Sequence, residues 1–354
     1  MRFYSSPIVT SITMDVDRGN LADWTYTEQS GKKTLKTYKK TDWANTIYVP
    51  KASGTTVYSS QYNLGKTSYS PFFNNKNVKH VDFQKVPIVS NSMNFIFAGC
   101  SNLSSVKNLS PNIVSMYETF YSCSSLNFNI QIPNKVTNMD GAFSACSSFN
   151  QNLRLPSSVT NAKATFANCS KLNQNIQIPD SVVNMDWTFS TCRKLNQNIK
   201  LPSKVNSTVH AFANCSVFNQ NIQLPSSIRN AEGMFAGCPN FNQNIQITNG
   251  LSQIASMFSR CSNFNQRIDL PRSVTNIQYT FSGCTSLSGR INIYSTGIGN
   301  AMNCFNNTSA SKQVYIYYKY KNGVYTSTYN TCFGTRGISG KNGVTIHDLG
   351  TCPW

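Results

Sequence analysis

The sequence predicts a repeat solenoid with a small β-rich module at each end, and three observations carry that prediction. Nine cysteines, Cys100, Cys123, Cys146, Cys169, Cys192, Cys215, Cys238, Cys261 and Cys284, follow one another at a spacing of 23 residues. A phenylalanine stands three positions before each of them, from Phe97 to Phe281. The residues between also repeat, as F-x-x-C-S-x-(L/F)-N-Q-N-I-x-(I/L)-P-x-x-V-x-N-M. A fixed period between ~20 and ~50 residues means that each unit is one supersecondary element, too small to bury its apolar side until its neighbours stack on it.

Within a unit the elements follow in order. Asn175-Ile176-Gln177-Ile178 alternates polar and apolar residues, the pattern of a short half-buried strand. Pro179, like Pro133, Pro156, Pro202, Pro225 and Pro271, closes that strand because proline has no N–H for a ladder. Ser158, Asp180, Ser181 and Ser227 then sit where helix caps belong. Val182, Met185, Phe189 and Cys192 are spaced by three, four and three, which predicts one apolar stripe of a short helical turn. Stacked units place parallel strands ~4.8 Å apart, so about ten coils form a rod on the order of 50 Å long. The solenoid is expected over 76–308, with worn copies at its ends around Pro87 and Met93 and around Met302, Phe305 and Thr308.

Residues 1–75 do not repeat. Trp24-Thr25-Tyr26, the cluster Lys32, Lys33, Lys36, Lys39 and Lys40, and Thr46-Ile47-Tyr48-Val49 predict a β-rich module, either a cap over the first ladder edge or an attachment point. Residues 309–354 carry Val314-Tyr-Ile-Tyr-Tyr-Lys-Tyr320, then Asn322-Gly323, then Val324-Tyr-Thr-Ser-Thr-Tyr329, which predicts a tyrosine-rich β-hairpin cap.

The wording IPxSVxNMxxTFxxCxxLNQNI resembles the BspA-like (Treponema-type) leucine-rich repeat and the repeats of Mycoplasma and Firmicutes surface proteins, over roughly two thirds of the chain. The resemblance implies a leucine-rich-repeat-like solenoid and a surface or adhesion role. Some members of that family occur in phages, and it has no shared catalytic residues. The family's glycine after the helix-start hydrophobe is mostly absent here, with Asp140, Lys163, Asp186 or Glu232 in its place.

Composition narrows the function. A chain of 354 residues with 40% hydrophobic content can bury a core, while only 12% of residues are charged. The formal net charge of +18 favours an anionic partner. The cations form no dense stripe among aromatics, so no specific nucleic acid is expected. No apolar run approaches the ~18 residues of a membrane span, so no membrane insertion is expected either. No signal peptide is evident after Met1, which is the ground for expecting a route to the outside other than secretion. Enzyme chemistry is not expected, because His80, His210 and His347 are the only histidines and no nucleophile or phosphate-loop motif occurs. The cysteine column reads as buried small hydrophobes rather than disulfides or a metal site; Cys332 and Cys352 could bridge under oxidising conditions. No metal or cofactor is expected.

The strand is the candidate site. Residues flanking the inward isoleucine form two outward rows, one of Asn129, Asn152, Asn175, Asn198, Asn221, Asn244, Arg267 and Arg290, the other of Gln131, Arg154, Gln177, Lys200, Gln223, Gln246, Asp269 and Asn292. Amides both donate and accept, and guanidinium or ammonium groups bind carboxylate or phosphate, so the face suits a hydroxyl-rich, anionic polymer. Asn150, Asn173, Asn196, Asn219, Asn242 and Asn265 are expected instead to bond to their own neighbours along the stack. The expected function is a virion-associated bacteriophage protein of tail, baseplate or capsid exterior, oligomeric within its assembly. Its partners would be other virion proteins and a host cell-surface polysaccharide or protein. The alternatives are a bacterial or protist cell-surface adhesin and a purely architectural virion component.

Overall fold

A computed structural model describes residues 72–84 and 91–308, apart from Thr296, together with Ser70, Lys40 and short segments nearer the two ends. In the unit around Phe189, backbone donors alternate between two tasks. Met185, Trp187, Phe189 and Thr191 N–H groups reach the next coil, donating to Ser207, Val209, Ala211 and Ala213 carbonyls at 3.0, 2.8, 2.8 and 2.7 Å. Thr188, Ser190 and Cys192, lying between them, donate three residues back to Met185, Trp187 and Phe189. The segment is therefore a run of β-turns and not the expected helical turn; among the described residues helical geometry is confined to 3-10 backbone at Leu21–Asp23 and at Asn91. An α-helix uses its N–H groups on its own carbonyls, whereas stacking needs half of them for the coil above. The apolar stripe still points inward: Val182, Met185, Phe189 and Cys192 are fully buried.

These turns demand left-handed backbone two residues before and two residues after the phenylalanine, as at Trp187 (φ 59°) and Thr191 (φ 62°). Glycine fills such positions at Gly141 and Gly233, so the glycine missing at Asp140 and Glu232 stands one residue later. Most coils carry another residue there, at roughly 1 kcal/mol or more each, which the inter-coil bonds offset. The residues expected as helix caps are ties between coils. Ser158, Ser181 and Ser227 hydroxyls donate to Val136, Val159 and Val205 carbonyls at 2.5–2.6 Å, and Asp180 accepts from Ser203 N–H.

Two parallel ladders run along the rod. One is an unbroken column of bridges through Ser92, Ser115, Asn138, Asn161, Asn184, Ser207, Asn230, Gln253, Asn276 and Asn300. The other is the strand side. Numbered in chain order, its strands are β3 (Thr46–Tyr48), β5 (His80–Asp82), β6 (Ser105–Lys107), β7 (Leu153–Arg154), β8 (Ile176–Gln177), β9 (Ile268–Leu270), β10 (Ile291–Ile293), β11 (Lys312–Ile316) and β12 (Val344–Asp348). The pairs β3–β5–β6, β7–β8 and β9–β10–β11–β12 are all parallel. The coils between keep the in–out alternation without regular pairing, as proline's missing donor ends each strand after three or four residues.

Both end modules thus lend strands to the solenoid. In the N-terminal one, β1 (Trp24–Gln29) and β2 (Lys32–Tyr38) form an antiparallel hairpin, β4 (Thr55–Val57) joins β2 in parallel, and Lys40 pairs with Asp23 at 2.8 Å. At the other end β11 has parallel neighbours on both edges, so Val314–Ile316 is not one arm of the expected antiparallel hairpin. A strand has only two hydrogen-bonding edges, and continuing the ladder uses both. Asn322-Gly323 and the second arm lie outside the described residues.

The core is a set of columns. Phenylalanine rings stack from Phe72 through Phe97 and every later unit to Phe305, adjacent centroids 5.1–6.0 Å apart. Beside them each column cysteine is fully buried as a free thiol, its Sγ donating at 2.8–3.1 Å to the phenylalanine carbonyl of the coil before.

The asparagines expected to bond along the stack do so. Asn150, Asn173, Asn196, Asn219, Asn242 and Asn265 N–H groups each donate to the Oδ1 of the asparagine one coil earlier at 2.9 Å. Asn196 Oδ1 also accepts from Gln220 Nε2 at 3.1 Å. Asn196→Ala leaves Asn219 N–H to water and should cost about 1 kcal/mol in urea denaturation. Asn196→Asp, which keeps the acceptor, should cost less.

Candidate functional site

The strand builds the site because its period of two sends every second residue outward from a floor of isoleucines and leucines. Asn152, Arg154, Asn175, Gln177, Asn198, Lys200, Asn221, Gln223, Asn244, Gln246 and Arg267 are exposed and Arg290 is half-buried, while Ile176, Ile199, Ile222 and Ile245 between them are buried. Over three coils the face deepens into an open trough of about 1070 Å³. Asn129, Gln131, Asn152, Arg154, Asn175 and Gln177 line it, with Leu153 and Leu155 in its floor and Pro156 and Pro179 along one wall. Asn134 and Ser157, which follow the prolines, line it too; the turn after proline was read only as a cap position. A second hollow of about 600 Å³ continues it toward Lys107 and Lys135.

The candidate residues are not equivalent. Asn152 Oδ1 accepts from Asn175 N–H at 3.1 Å, so this amide is partly structural. Arg267 is tied to Asp269 by contacts of 3.2 and 3.3 Å. Arg290 Nε donates to Asn292 Oδ1 at 2.7 Å, and Asn292, expected to point outward, is fully buried and bonded to Asp269 as well. The last coils therefore engage their own arginines internally; Arg267-Ile268-Asp269 places ion-pair partners two residues apart on one face of a strand. By contrast, among the described residues Arg154, Gln177, Lys200, Gln223 and Gln246 side chains have no hydrogen-bond partner. Lys200 adds to the field that lowers the Asp180 carboxyl, after the bond that Asp180 accepts from Ser203 N–H.

The turn side differs in character. Asp140, Asp186 and Glu232, which stand in place of the family's glycine, are half-buried. Asp186 Oδ1 accepts from Ser207 Oγ at 2.5 Å and Val209 N–H at 2.8 Å, and burial raises the Asp140 carboxyl against the pull of Lys163. Trp187 is exposed there and stacks on His210, centroids 4.2 Å apart. Among the described residues no group of His, Cys, Asp and Glu could hold a metal ion, and no helix is long and apolar enough to cross a membrane.

Coils closed by one parallel strand and a run of turns, stacked on an inward phenylalanine column, define a leucine-rich-repeat-like solenoid. The chain belongs to the family described as "Mycoplasma protein of unknown function, DUF285", whose model matches it over residues 67–177, 91–200, 155–247 and 211–318. In fold it is similar to a leucine-rich repeat protein from Bacteroides ovatus, at 20% identity over 92% of this chain and 98% of that one, with a TM-score of 0.50. It is also similar to a leucine rich cell surface protein from Faecalibacterium prausnitzii, at 20% identity over 77% and 94% of the two chains (TM-score 0.34). A further likeness is to the leucine rich repeat protein of T. pallidum, at 16% identity over 63% and 90% (TM-score 0.38). No curated protein matches the sequence. None of these matches carries a feature particular to a virus particle, and the virion expectation rests on the sequence alone.

Proposed function

We propose that the chain is a non-enzymatic adhesin, acting outside the cell that makes it, whose strand face binds a hydroxyl-rich, anionic envelope polymer. One observation carries this reading: polar groups converge on an open trough, and among the described residues none bonds to the Arg154 and Gln177 side chains within it. Unpartnered amides and a guanidinium can exchange bonds to water for bonds to hydroxyls and anions at little cost. The resemblance of the repeat to those of bacterial surface proteins favours a cell-surface setting over a virion.

The test is a pull-down of the full chain on Gram-positive cell walls and on their isolated anionic glycopolymers. It runs beside a variant carrying Arg154→Ala, Gln177→Ala, Lys200→Ala and Gln223→Ala, all partnerless side chains whose loss spares the ladder. The parent should bind, less at high salt, and the variant should bind about tenfold or more weakly with an unchanged unfolding midpoint. A parent that does not bind, or a folded variant that binds equally, would sink the proposal.

A further inference from the structure

A second surface departs from the repeat, and nothing in the adhesin reading uses it. On the turn side the position after the column phenylalanine is small in most coils, as at Ser144, Ala167, Ser190, Ala213 and Ala236. In the first coils the same position carries Phe73 and Tyr121, and Phe95 stands two before its phenylalanine, a variable position that holds Gly141, Ala164 and Gly233 in some later coils and Trp187, His210 and Tyr279 in others. With Tyr117 and Glu118 these side chains wall a cleft of about 600 Å³. Phe95 and Tyr117 meet edge to face, centroids 5.1 Å apart at 81°. Tyr121 leaves 43% of its surface to solvent.

The repeat backbone presents this arrangement: Phe95 (φ 58°) and Glu118 (φ 45°) occupy the left-handed position that the turns of every coil require two residues before the phenylalanine. Gly141 makes room for the carboxylate arm, since a Cβ on it would stand 2.8 Å from Glu118 Cγ. The lining contains one carboxylate and no basic residue, in a chain whose formal net charge is +18. Burial raises the Glu118 carboxyl, the bond from Tyr117 works against that rise, and the Asp140 charge one coil on adds to it. An arriving cation would relieve that cost.

Aromatic faces beside a carboxylate attract positive charge through the ring quadrupole and the ion together, best when the cation is weakly hydrated. We propose that this cleft binds an organic ammonium group, seated on the Tyr121 and Tyr117 rings with Glu118 as its counter-charge. A neutral sugar would gain from the rings and could bond to Asn74, Ser122 and the tyrosine hydroxyls but would leave the Glu118 charge uncompensated, so it is the competing occupant.

The experiment is a saturation-transfer NMR titration of the full chain with tetramethylammonium and, separately, methyl glucoside. Tetramethylammonium should saturate. Tyr121→Ala should weaken it about tenfold and Glu118→Gln several-fold, while Tyr121→Phe, which keeps the ring, should bind like the parent. Neither Tyr121→Ala nor Glu118→Gln, which removes a half-buried charge, should lower the unfolding midpoint, and the fourfold strand-face variant should bind tetramethylammonium unchanged, which separates this cleft from the trough. No transfer from tetramethylammonium, equal binding by Tyr121→Ala, or binding of methyl glucoside in its place would overturn the proposal.

Discussion

Above about pH 9 the solenoid should lose stability with each fraction of a pH unit, ending in cooperative unfolding well before pH 11. The cause is the thiol column. Burial pushes Cys123, Cys146, Cys169, Cys192, Cys215 and Cys261 well above the ordinary value of 9.0, and Cys100 and Cys238 up to about 12. The folded chain keeps these protons where the unfolded chain releases them. Their contribution is therefore complete below the unfolded value and is lost as pH rises toward the folded values. Each group contributes a slope of about 1.4 kcal/mol per pH unit, so eight together approach about 11 kcal/mol per unit. A whole domain has only about 5–15 kcal/mol to lose.

Urea midpoints measured from pH 7 to 10 would show the effect. Cys192→Ser keeps a donor for the Phe166 carbonyl, which Cys192 Sγ meets at 3.1 Å, but removes one titrating group. Its curve should be shallower by about 1.4 kcal/mol per pH unit. At pH 8 the folded thiols should also resist alkylation, because the thiolate is the reactive form. Equal stability at pH 8 and pH 10 would mean that the column is not sealed from water.

The columns were legible because a solenoid writes one structural position at one sequence interval. Cys, Phe, the bonded asparagines and the outward rows could each be read from period and alternation. The run of turns was not. A stripe at Val182, Met185, Phe189 and Cys192 fits a helix and a chain of β-turns equally, since both return to one side every three or four residues. What separates them is whether Trp187 N–H bonds within its own coil or to Val209 in the next, a long-range fact with no local signature. At β11 likewise, parallel neighbours on both edges leave Val314–Ile316 no free edge for an antiparallel partner.

The candidate site was half legible. Alternation placed eleven of twelve residues in the open but could not tell Arg154, which has no partner, from Arg267, bound to Asp269. The aromatic cleft was hidden for the opposite reason. A consensus is built by discarding departures, and Phe73 and Tyr121 are departures. In a repeat protein the residues that break the pattern are where function and pattern part company.

Truncating the phenylalanine column should be the most damaging single change, and its cost should depend on the coil. Phe189 stacks on Phe166 and Phe212 alone, at 5.6 and 5.5 Å. Phe235 touches Phe212, Phe218, Phe241 and Phe258, because its own coil and the one before place phenylalanine where others have leucine; its centroid is 4.2 Å from that of Phe241. Both rings are fully buried, so transfer and cavity terms alone give about 3–5 kcal/mol for Phe→Ala. Ring pairs add about 0.5–1.5 kcal/mol each beyond burial, so with two more pairs Phe235→Ala should exceed Phe189→Ala by about 1–3 kcal/mol. A double-mutant cycle of Phe235→Leu and Phe241→Leu, the second restoring the usual repeat, should show coupling of about 1 kcal/mol. Position along the rod matters as well. Each coil is stabilised only by its neighbours, so Phe305→Ala at the end should fray one coil, whereas Phe189→Ala should uncouple two halves and broaden the urea transition. Equal losses at Phe189, Phe235 and Phe305 would show that the rod unfolds as one unit and that ring stacking adds nothing to burial.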